Sequence, residues 1–348
     1  MQRFKGHVPF LDGVRGMAVL LVYLFHCAPN PYRKGLLEIG WSGVDLFFVL
    51  SGLLITGILL DSKDRPRYFS NFFVRRFLRL FPLYYGVLVS VIYIIPAMGG
   101  TIGHLASLRT DQLFYWTYTQ NIFIALTGVP EFLGFNHFWS LGVEEQFYLF
   151  WPLFVRYLDR KRLLMVIGLG IAVSMVLKNM NPNVPFAYMF TFCRTEGLLL
   201  GGLAAILIRD PKETFSKWAW PLLALTALGI MLVGYSTGSF SYKGQLFARI
   251  GYTLVDVMYF LLIVILHGKG GLSARLRRIF SIRILTLAGK YSYGIYVYHF
   301  LFFRLLFHED IPDMLTFAQL TLLVISVSVI SYHLFEYPFL KLKRFFYN

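Results

Sequence analysis

The chain has 348 residues, of which 57% are hydrophobic and only 15% are charged, with a mean hydropathy of +0.61. Because soluble domains carry charge on about a quarter of their residues, this composition excludes an ordinary soluble protein and indicates a membrane protein. The net charge of +15 does not indicate nucleic-acid binding, since the basic residues lie between apolar segments, as in loops that face anionic lipid. Cys27 and Cys193 lie in apolar runs without a CxxC pair, so neither a disulfide framework nor a metal site is predicted.

Ten apolar segments are long enough to cross a bilayer as helices, since a hydrocarbon core of about 30 Å requires about 20 residues. In chain order these predicted spans are residues 9–28, 41–60, 80–97, 138–157, 162–178, 186–208, 218–235, 247–267, 287–307 and 314–336. The segment 98–137 is amphipathic and is predicted to lie at the membrane interface. We therefore expect an all-α polytopic membrane protein with one transmembrane domain over residues 1–348.

The basic residues predict the orientation of these spans. One side of the membrane receives 24 of the 33 Lys and Arg residues, in the N-terminus, the loops 61–80, 156–162, 209–217 and 268–290, and the C-terminus. The opposite side receives Arg33, Lys34, Arg109, Lys178 and Lys243. Because cytoplasmic loops carry the excess of positive charge, both termini are predicted to be cytoplasmic.

The first span, LDGVRGMAVLLVYLFHC, carries Asp12, Arg15 and His26. Arg15 and His26 are separated by about 20° around a helix and by about 16 Å along it, and Asp12 lies within about 40° of the same line. A polar stripe in a helical bundle is typical of a cavity or pore. The alternatives are an interfacial Arg15 that extends towards the lipid headgroups and a hydrogen-bonded structural His26.

The second and fourth spans each place a carboxylate in the predicted outer half. Asp45, in GWSGVDLFFVLSG, is expected at the depth of His26, where it orients the imidazole or is stabilised as an acid at a helix N-terminus. Glu144 lies on one predicted helical stripe of the fourth span, which is composed of His137, Ser140, Glu144, Tyr148 and Trp151. We expect Glu144 to face the pore. The alternative is a structural glutamate bonded to another helix.

Three further groups of polar residues are candidates for the functional site. Arg194 and Glu196 lie near mid-depth in FTFCRTEGLLLGGLAA, where charge compensation through neighbours is an equal alternative to function. Arg75, Arg76 and Arg79, in FFVRRFLRLFP before the third span, are expected at the cytoplasmic mouth. Guanidinium groups suit phosphates there, and the alternative is a positive-inside anchor. The ninth span, in GKYSYGIYVYHFLFFRLLF, adds residues that often serve only packing: Tyr291, Tyr293, His299 and Arg304.

These segments together resemble the acyltransferase 3 family. LDGVRGMAVLLVYLFHC, GWSGVDLFFVLSGLLI, FVRRFLRLFP, HFWSLGVEEQFYLFWP, CRTEGLLLGGLAA, SYGIYVYHF and FEYPF occur in the order found in that family and span nearly the whole chain. Each motif alone is weak, and the seven in order are specific.

The resemblance implies transfer of an acyl group, usually acetyl from acetyl-CoA, to a lipid-linked or cell-surface carbohydrate at the extracytoplasmic face. Arg15 and His26 match the essential arginine and histidine of the family, and Glu144 matches the acid of its WSL-x-x-E motif. Arg75, Arg76 and Arg79 match the arginine-rich segment associated with CoA. Some members carry a C-terminal SGNH hydrolase-like domain, and this chain is expected to be the stand-alone type.

The resulting hypothesis is an acyltransferase in a bacterial plasma membrane, surrounded by membrane lipid. The CoA phosphates bind the Arg cluster, the thioester passes Arg15, and His26, oriented by Asp45 or Glu144, acts as general base. A covalent acyl-histidine remains an alternative, as does a transporter or flippase with a His/Glu/Arg proton relay.

Overall fold

The computed structural model of the protein describes residues 8–29, 32, 35–210, 216–307 and 313–346, and every regular element within these ranges is helical. The first half of the chain forms α1 (Pro9–Cys27), α2 (Gly43–Ser62), α3 (Tyr68–Val89), α4 (Ile95–Ala97), α5 (Leu105–Trp116), α6 (Gln120–Thr127), α7 (Trp139–Tyr157), α8 (Arg160–Met180) and α9 (Val184–Met189). The second half forms α10 (Thr191–Ile208), α11 (Ser216–Thr237), α12 (Tyr252–His267), α13 (Gly271–Phe280), α14 (Arg283–Lys290), α15 (Ser292–Leu306), α16 (Met314–Ser331) and α17 (Tyr337–Leu342).

Eight helical stretches of the described chain are long and apolar enough to cross a membrane. They are Pro9–Cys27, Leu37–Ser62, Tyr68–Ala97, Arg160–Met180, Val184–Ile208, Lys217–Thr237, Phe247–His267 and Met314–Phe346. The other two predicted spans are also helical. The fourth, α7, is more polar because it carries Glu144, Glu145 and Arg156, and the ninth is divided between α14 and α15. The all-α polytopic fold is confirmed.

The orientation in the membrane stays a prediction, and part of the charge count lies outside the described residues. That part comprises Arg3, Lys5, Arg33, Lys34 and residues 211–215.

Helix α3 begins earlier than predicted. It starts at Tyr68 rather than at residue 80, so Arg75, Arg76 and Arg79 lie within the helix and not in a loop before it. The predicted boundary was too late because these arginines lower the local hydropathy, which made the segment look like a loop. In the structure the three side chains are partly buried. As a result, guanidinium groups that were expected in a loop at the mouth of the bundle are carried by a helix of the bundle, α3.

Two close helix contacts build the bundle around the site. Helix α2 packs along α10, where a Cβ atom on Gly52 would lie 1.9 Å from Leu198 O. Helix α1 packs along α14, where a Cβ atom on Gly16 would lie 2.0 Å from Leu285 O. Only glycine permits such an approach of two backbones. Because α15 follows α14 directly, the second contact also brings α15 beside α1.

Candidate functional site

A cavity with about 760 Å³ of empty space, part of it open to solvent, lies between α1, α2, α3, α7 and α15. The polar residues that line it are Arg15, Ser51, Arg76, Arg79, Ser140, Glu144, Tyr148, Ser292, Tyr293 and Tyr296. We call this space the arginine cavity.

The arginine cavity joins three guanidinium groups to one carboxylate. Arg15, Arg76 and Arg79 come from α1 and α3, and Glu144 comes from α7 and accepts a hydrogen bond of 2.7 Å from Ser51 Oγ. Arg75 is not among the lining residues. Guanidinium groups bind phosphate and carboxylate groups through paired N–H donors. The cavity therefore has the chemistry of an anion site.

Two of these arginines are held in place by neighbouring side chains. Arg15 donates to Asp12 Oδ1 over 3.1 Å, one turn earlier on α1. The guanidinium of Arg76 lies 5.3 Å from the centre of the Tyr148 ring, in a cation–π contact. Such contacts fix the direction of long side chains before a ligand arrives, which lowers the entropic cost of binding.

Three histidines lie together at another position in the bundle, and we call them the histidine cluster. His26 Nδ1 lies 3.1 Å from His299 Nε2, and the rings of His137 and His299 are 5.1 Å apart. His299 and His137 are buried, while His26 is partly exposed. The ring of Phe300 packs 4.7 Å from that of His26 and 5.4 Å from that of His137. His26 is therefore the most exposed imidazole of the three, and the rings of His299 and Phe300 pack against it.

The hydrogen bonds of His299 determine which nitrogen of His26 is basic. His299 Nδ1 lies 2.7 Å from Tyr296 O and 3.1 Å from Ile295 O. Because a carbonyl oxygen only accepts, His299 Nδ1 carries the proton, and in the neutral ring Nε2 is the acceptor. His26 Nδ1 therefore donates to His299, and the lone pair of neutral His26 lies on Nε2.

The arginine cavity and the histidine cluster lie at different heights along the bundle, and the chain at α1, α7 and α15 shows the same order of the two. On α1, Arg15 lines the arginine cavity and His26 lies about 16 Å further along the helix. On α15, Tyr293 lines the cavity and His299 follows in the histidine cluster. The chain at α7 runs the opposite way, from His137 in the cluster to the residues that line the cavity. The cavity and the cluster thus occupy successive positions along the bundle.

Neither carboxylate predicted beside His26 contacts it. Asp45 Oδ1 pairs with Arg194 Nη2 at 2.5 Å, and Glu144 lies in the arginine cavity with Ser51. The prediction was wrong because similar depth along two helices does not set their rotation. Asp45 turns towards α10, where a buried guanidinium requires an anion. His299, predicted only as a further pore residue, is the hydrogen-bond partner of His26.

A second buried polar group lies around α10, apart from the lining of the arginine cavity. Glu196 does not pair with Arg194: it accepts a bond of 2.5 Å from Lys178 Nζ, and both side chains are fully buried. Lys178 was counted among the basic residues of the outer side, and in the structure it lies buried in the last turn of α8 with Glu196 as its counter-ion. Its side of the membrane stays a prediction. Asp256, which is fully buried beside Asp45, was not predicted. Its one signal was a single acid in the apolar run YTLVDVMYF.

Comparisons with known proteins agree with this architecture. The acyltransferase domain of the acyltransferase 3 family matches residues 8–334. The peptidoglycan O-acetyltransferase OatA of Listeria monocytogenes is 31% identical over 323 residues, which cover 85% of this chain and 49% of that protein. The candidate peptidoglycan O-acetyltransferase YrhL of Bacillus subtilis is 32% identical over 364 residues, 95% of this chain and 55% of that protein.

A candidate O-acetyltransferase of Staphylococcus aureus is 28% identical over 372 residues, covering 96% of this chain and 58% of that protein. The chain thus spans about half the length of the curated relatives it matches. No solved structure shows a significant match. Because the family model covers nearly the whole chain and includes the arginine cavity and the histidine cluster, the chain belongs to the acyltransferase 3 family.

Proposed function

We propose that the protein is a membrane-embedded O-acyltransferase that transfers an acyl group, with acetyl as the first choice, from cytoplasmic acyl-CoA to a hydroxyl group of a glycan. The single observation that supports this most strongly is the hydrogen bond from His26 Nδ1 to His299. It fixes the tautomer, so that the lone pair of neutral His26 lies on Nε2. The imidazole is partly exposed and lies further along α1 than the arginine cavity. Family membership indicates the reaction class. We assign donor binding to the arginine cavity and the chemical step to the histidine cluster.

The arginine cavity is the proposed site of the donor substrate. Arg15, Arg76 and Arg79 bind phosphate oxygens of CoA, whose flexible arm carries the thioester along the bundle towards His26. If the predicted orientation holds, this cavity is nearer the cytoplasm, where CoA is synthesised. The charge and the position of these residues fit the donor.

The proposed chemical step moves one proton and one acyl group. The acceptor hydroxyl oxygen attacks the thioester carbonyl while His26 Nε2 takes its proton. The carbon–sulfur bond breaks, CoA leaves as the thiolate, and the His26 imidazolium then returns the proton to sulfur. The products are an O-acyl ester and free CoA. In a covalent variant, His26 Nε2 attacks the thioester carbonyl first, the carbon–sulfur bond breaks and CoA leaves as the thiolate. The acceptor hydroxyl oxygen then attacks the acyl-histidine, the carbon–nitrogen bond breaks, and the hydroxyl proton goes to the thiolate.

The proposed acceptor is a lipid-linked or extracytoplasmic glycan at the plasma membrane of a bacterium. The names of the relatives from Listeria and Bacillus make peptidoglycan the first acceptor to test. The partial exposure of His26 is consistent with an acceptor that approaches from outside the bundle. Comparing glycans by mass spectrometry from cells with and without the gene would show whether O-acetyl groups depend on it.

The decisive experiment uses the full chain purified in detergent with labelled acetyl-CoA and a glycan acceptor. His26→Ala and His26→Gln should both abolish transfer while acetyl-CoA binding is retained, since an amide forms hydrogen bonds but accepts no proton. His333→Ala, at an exposed histidine, is the matched control and should remain active. A fully active His26→Ala variant would refute the proposal. An acetylated His26 peptide trapped without acceptor would establish the covalent variant.

A further inference from the structure

Tyr296 lies between the arginine cavity and the histidine cluster. It lines the cavity, and its ring is 5.3 Å from that of His137 and 5.6 Å from that of His299. Phe47, which also lines the cavity, packs edge-on at 6.2 Å. A group that passes from the arginines to His26 along the bundle therefore meets this ring first.

Two hydrogen bonds hold the Tyr296 ring in that position. Its hydroxyl donates to His137 O over 2.6 Å and lies 2.6 Å from Ser140 Oγ. Because the single phenolic proton goes to the carbonyl, Ser140 is the donor in the second bond. His137 lies just before α7 and Ser140 lies in its first turn, so the two bonds tie α15 to this end of α7 across the bundle. Only 6% of Tyr296 is exposed.

We propose that Tyr296 determines which acyl groups reach His26, because its ring closes the inner end of the arginine cavity. The proposal rests on the proposed function, in which this cavity holds acyl-CoA. A short acyl group requires a small displacement of the ring. A longer chain requires the ring to leave Ser140 and the carbonyl of His137. The expected substrate class is therefore CoA thioesters of short acyl groups, with acetyl favoured over hexanoyl.

Nothing in the chemistry of acyl transfer itself requires a tyrosine here. The Tyr296 hydroxyl is hydrogen-bonded to His137 O and to Ser140 Oγ, and it points to neither nitrogen of His26 in the described structure. The role assigned is steric: the ring provides the barrier and the hydroxyl fixes it. Phenylalanine should keep the barrier, whereas alanine should remove it.

The test compares acetyl-CoA, butyryl-CoA and hexanoyl-CoA as donors for the full chain in detergent. In Tyr296→Ala, the ratio of hexanoyl to acetyl transfer should rise at least about tenfold over the wild type. In Tyr296→Phe, the ratio should stay near the wild-type value. Tyr298→Ala is the matched control, because Tyr298 lies on the same helix and its hydroxyl bonds to Ser331 instead. An unchanged ratio in Tyr296→Ala would overturn the proposal.

Two readouts keep the test decisive if Tyr296→Ala does not fold. Tyr296→Leu retains part of the bulk and should shift the same ratio in the same direction. Titration calorimetry measures the binding of acetyl-CoA and hexanoyl-CoA without turnover. In Tyr296→Leu the two affinities should become more similar than in the wild type. A difference in affinity equal to that of the wild type would overturn the proposal. A wild type that transfers no acyl group would instead refute the proposed function. Normal acetyl transfer with unchanged selectivity refutes only the role of Tyr296.

Discussion

Arg194 Nη2 lies 2.5 Å from Asp45 Oδ1, and neither side chain has any contact with solvent. The guanidinium also lies 4.9 Å from the centres of the Tyr188 and Tyr252 rings. Removal of one member of a buried ion pair leaves an uncompensated charge, which costs about 3–5 kcal/mol. We therefore assign Asp45 a structural role in joining α2 to α10, in contrast to the catalytic role predicted from the sequence.

This assignment predicts that Asp45→Ala lowers the thermal stability of the detergent-solubilised protein substantially. Leu at both Asp45 and Arg194 should recover part of the loss, because the double change leaves no unpaired guanidinium. The measurement is thermal unfolding followed by tryptophan fluorescence. An Asp45→Ala protein with normal stability but without transferase activity would instead support a catalytic Asp45.

A second prediction separates the two adjacent arginines of α3. Arg76→Ala should weaken acyl-CoA binding by about 10- to 100-fold, the effect of losing a charge-assisted hydrogen bond of about 1.5–3 kcal/mol. Arg76→Lys should recover binding only partly, because an ammonium lacks the planar fork. Arg75→Ala is the matched control, since Arg75 does not line the cavity. Equal losses at both positions would indicate a general effect of positive charge. Unchanged binding with Arg76→Ala would exclude it from the donor site.

A third prediction concerns Glu144, the one carboxylate among the lining residues of the arginine cavity. In Glu144→Gln, the amide oxygen can still accept the hydrogen bond from Ser51, but the negative charge is lost. Acyl-CoA should then bind more tightly, because three guanidinium groups no longer share an anion with the ligand. Titration calorimetry at low and high salt checks this. Weaker binding at low salt would show that Glu144 contacts the donor directly.

The fourth prediction concerns membrane orientation. Reporter domains fused after Pro130 and after Lys243 should be detected on the extracytoplasmic side, as the positive-inside rule requires. A fusion after Leu158, next to the basic run Asp159–Arg162, should be cytoplasmic and provides the control. A cytoplasmic signal at either of the first two positions would reverse the proposed direction of donor entry.

The sequence predicted the helical spans and most residues of the site, but not their pairing. Hydropathy reports burial in lipid, and helical periodicity places Arg15 and His26 on one face. Neither one determines how α2 is rotated relative to α1, and this rotation decides whether Asp45 meets His26 or Arg194. The close approach of glycine-bearing helices sets that rotation. The same limit applies to the barrier proposed at Tyr296, since a tyrosine-rich helix is usually explained by packing.

The last prediction addresses His299. It is not among the residues that line the arginine cavity, and its Nε2 lies 3.1 Å from His26 Nδ1. Under the proposed function it is therefore a positioning residue. His299→Ala should lower kcat by about 10- to 100-fold and leave the KM for acyl-CoA nearly unchanged. The full loss of a general base is larger, roughly 10²–10⁴-fold. His299→Gln should retain more activity than His299→Ala, because an amide oxygen can accept the hydrogen bond from His26 Nδ1–H and preserve the tautomer. If His299→Gln and His299→Ala both lose all transfer while His26→Ala remains active, the two histidines exchange roles and His299 is the base.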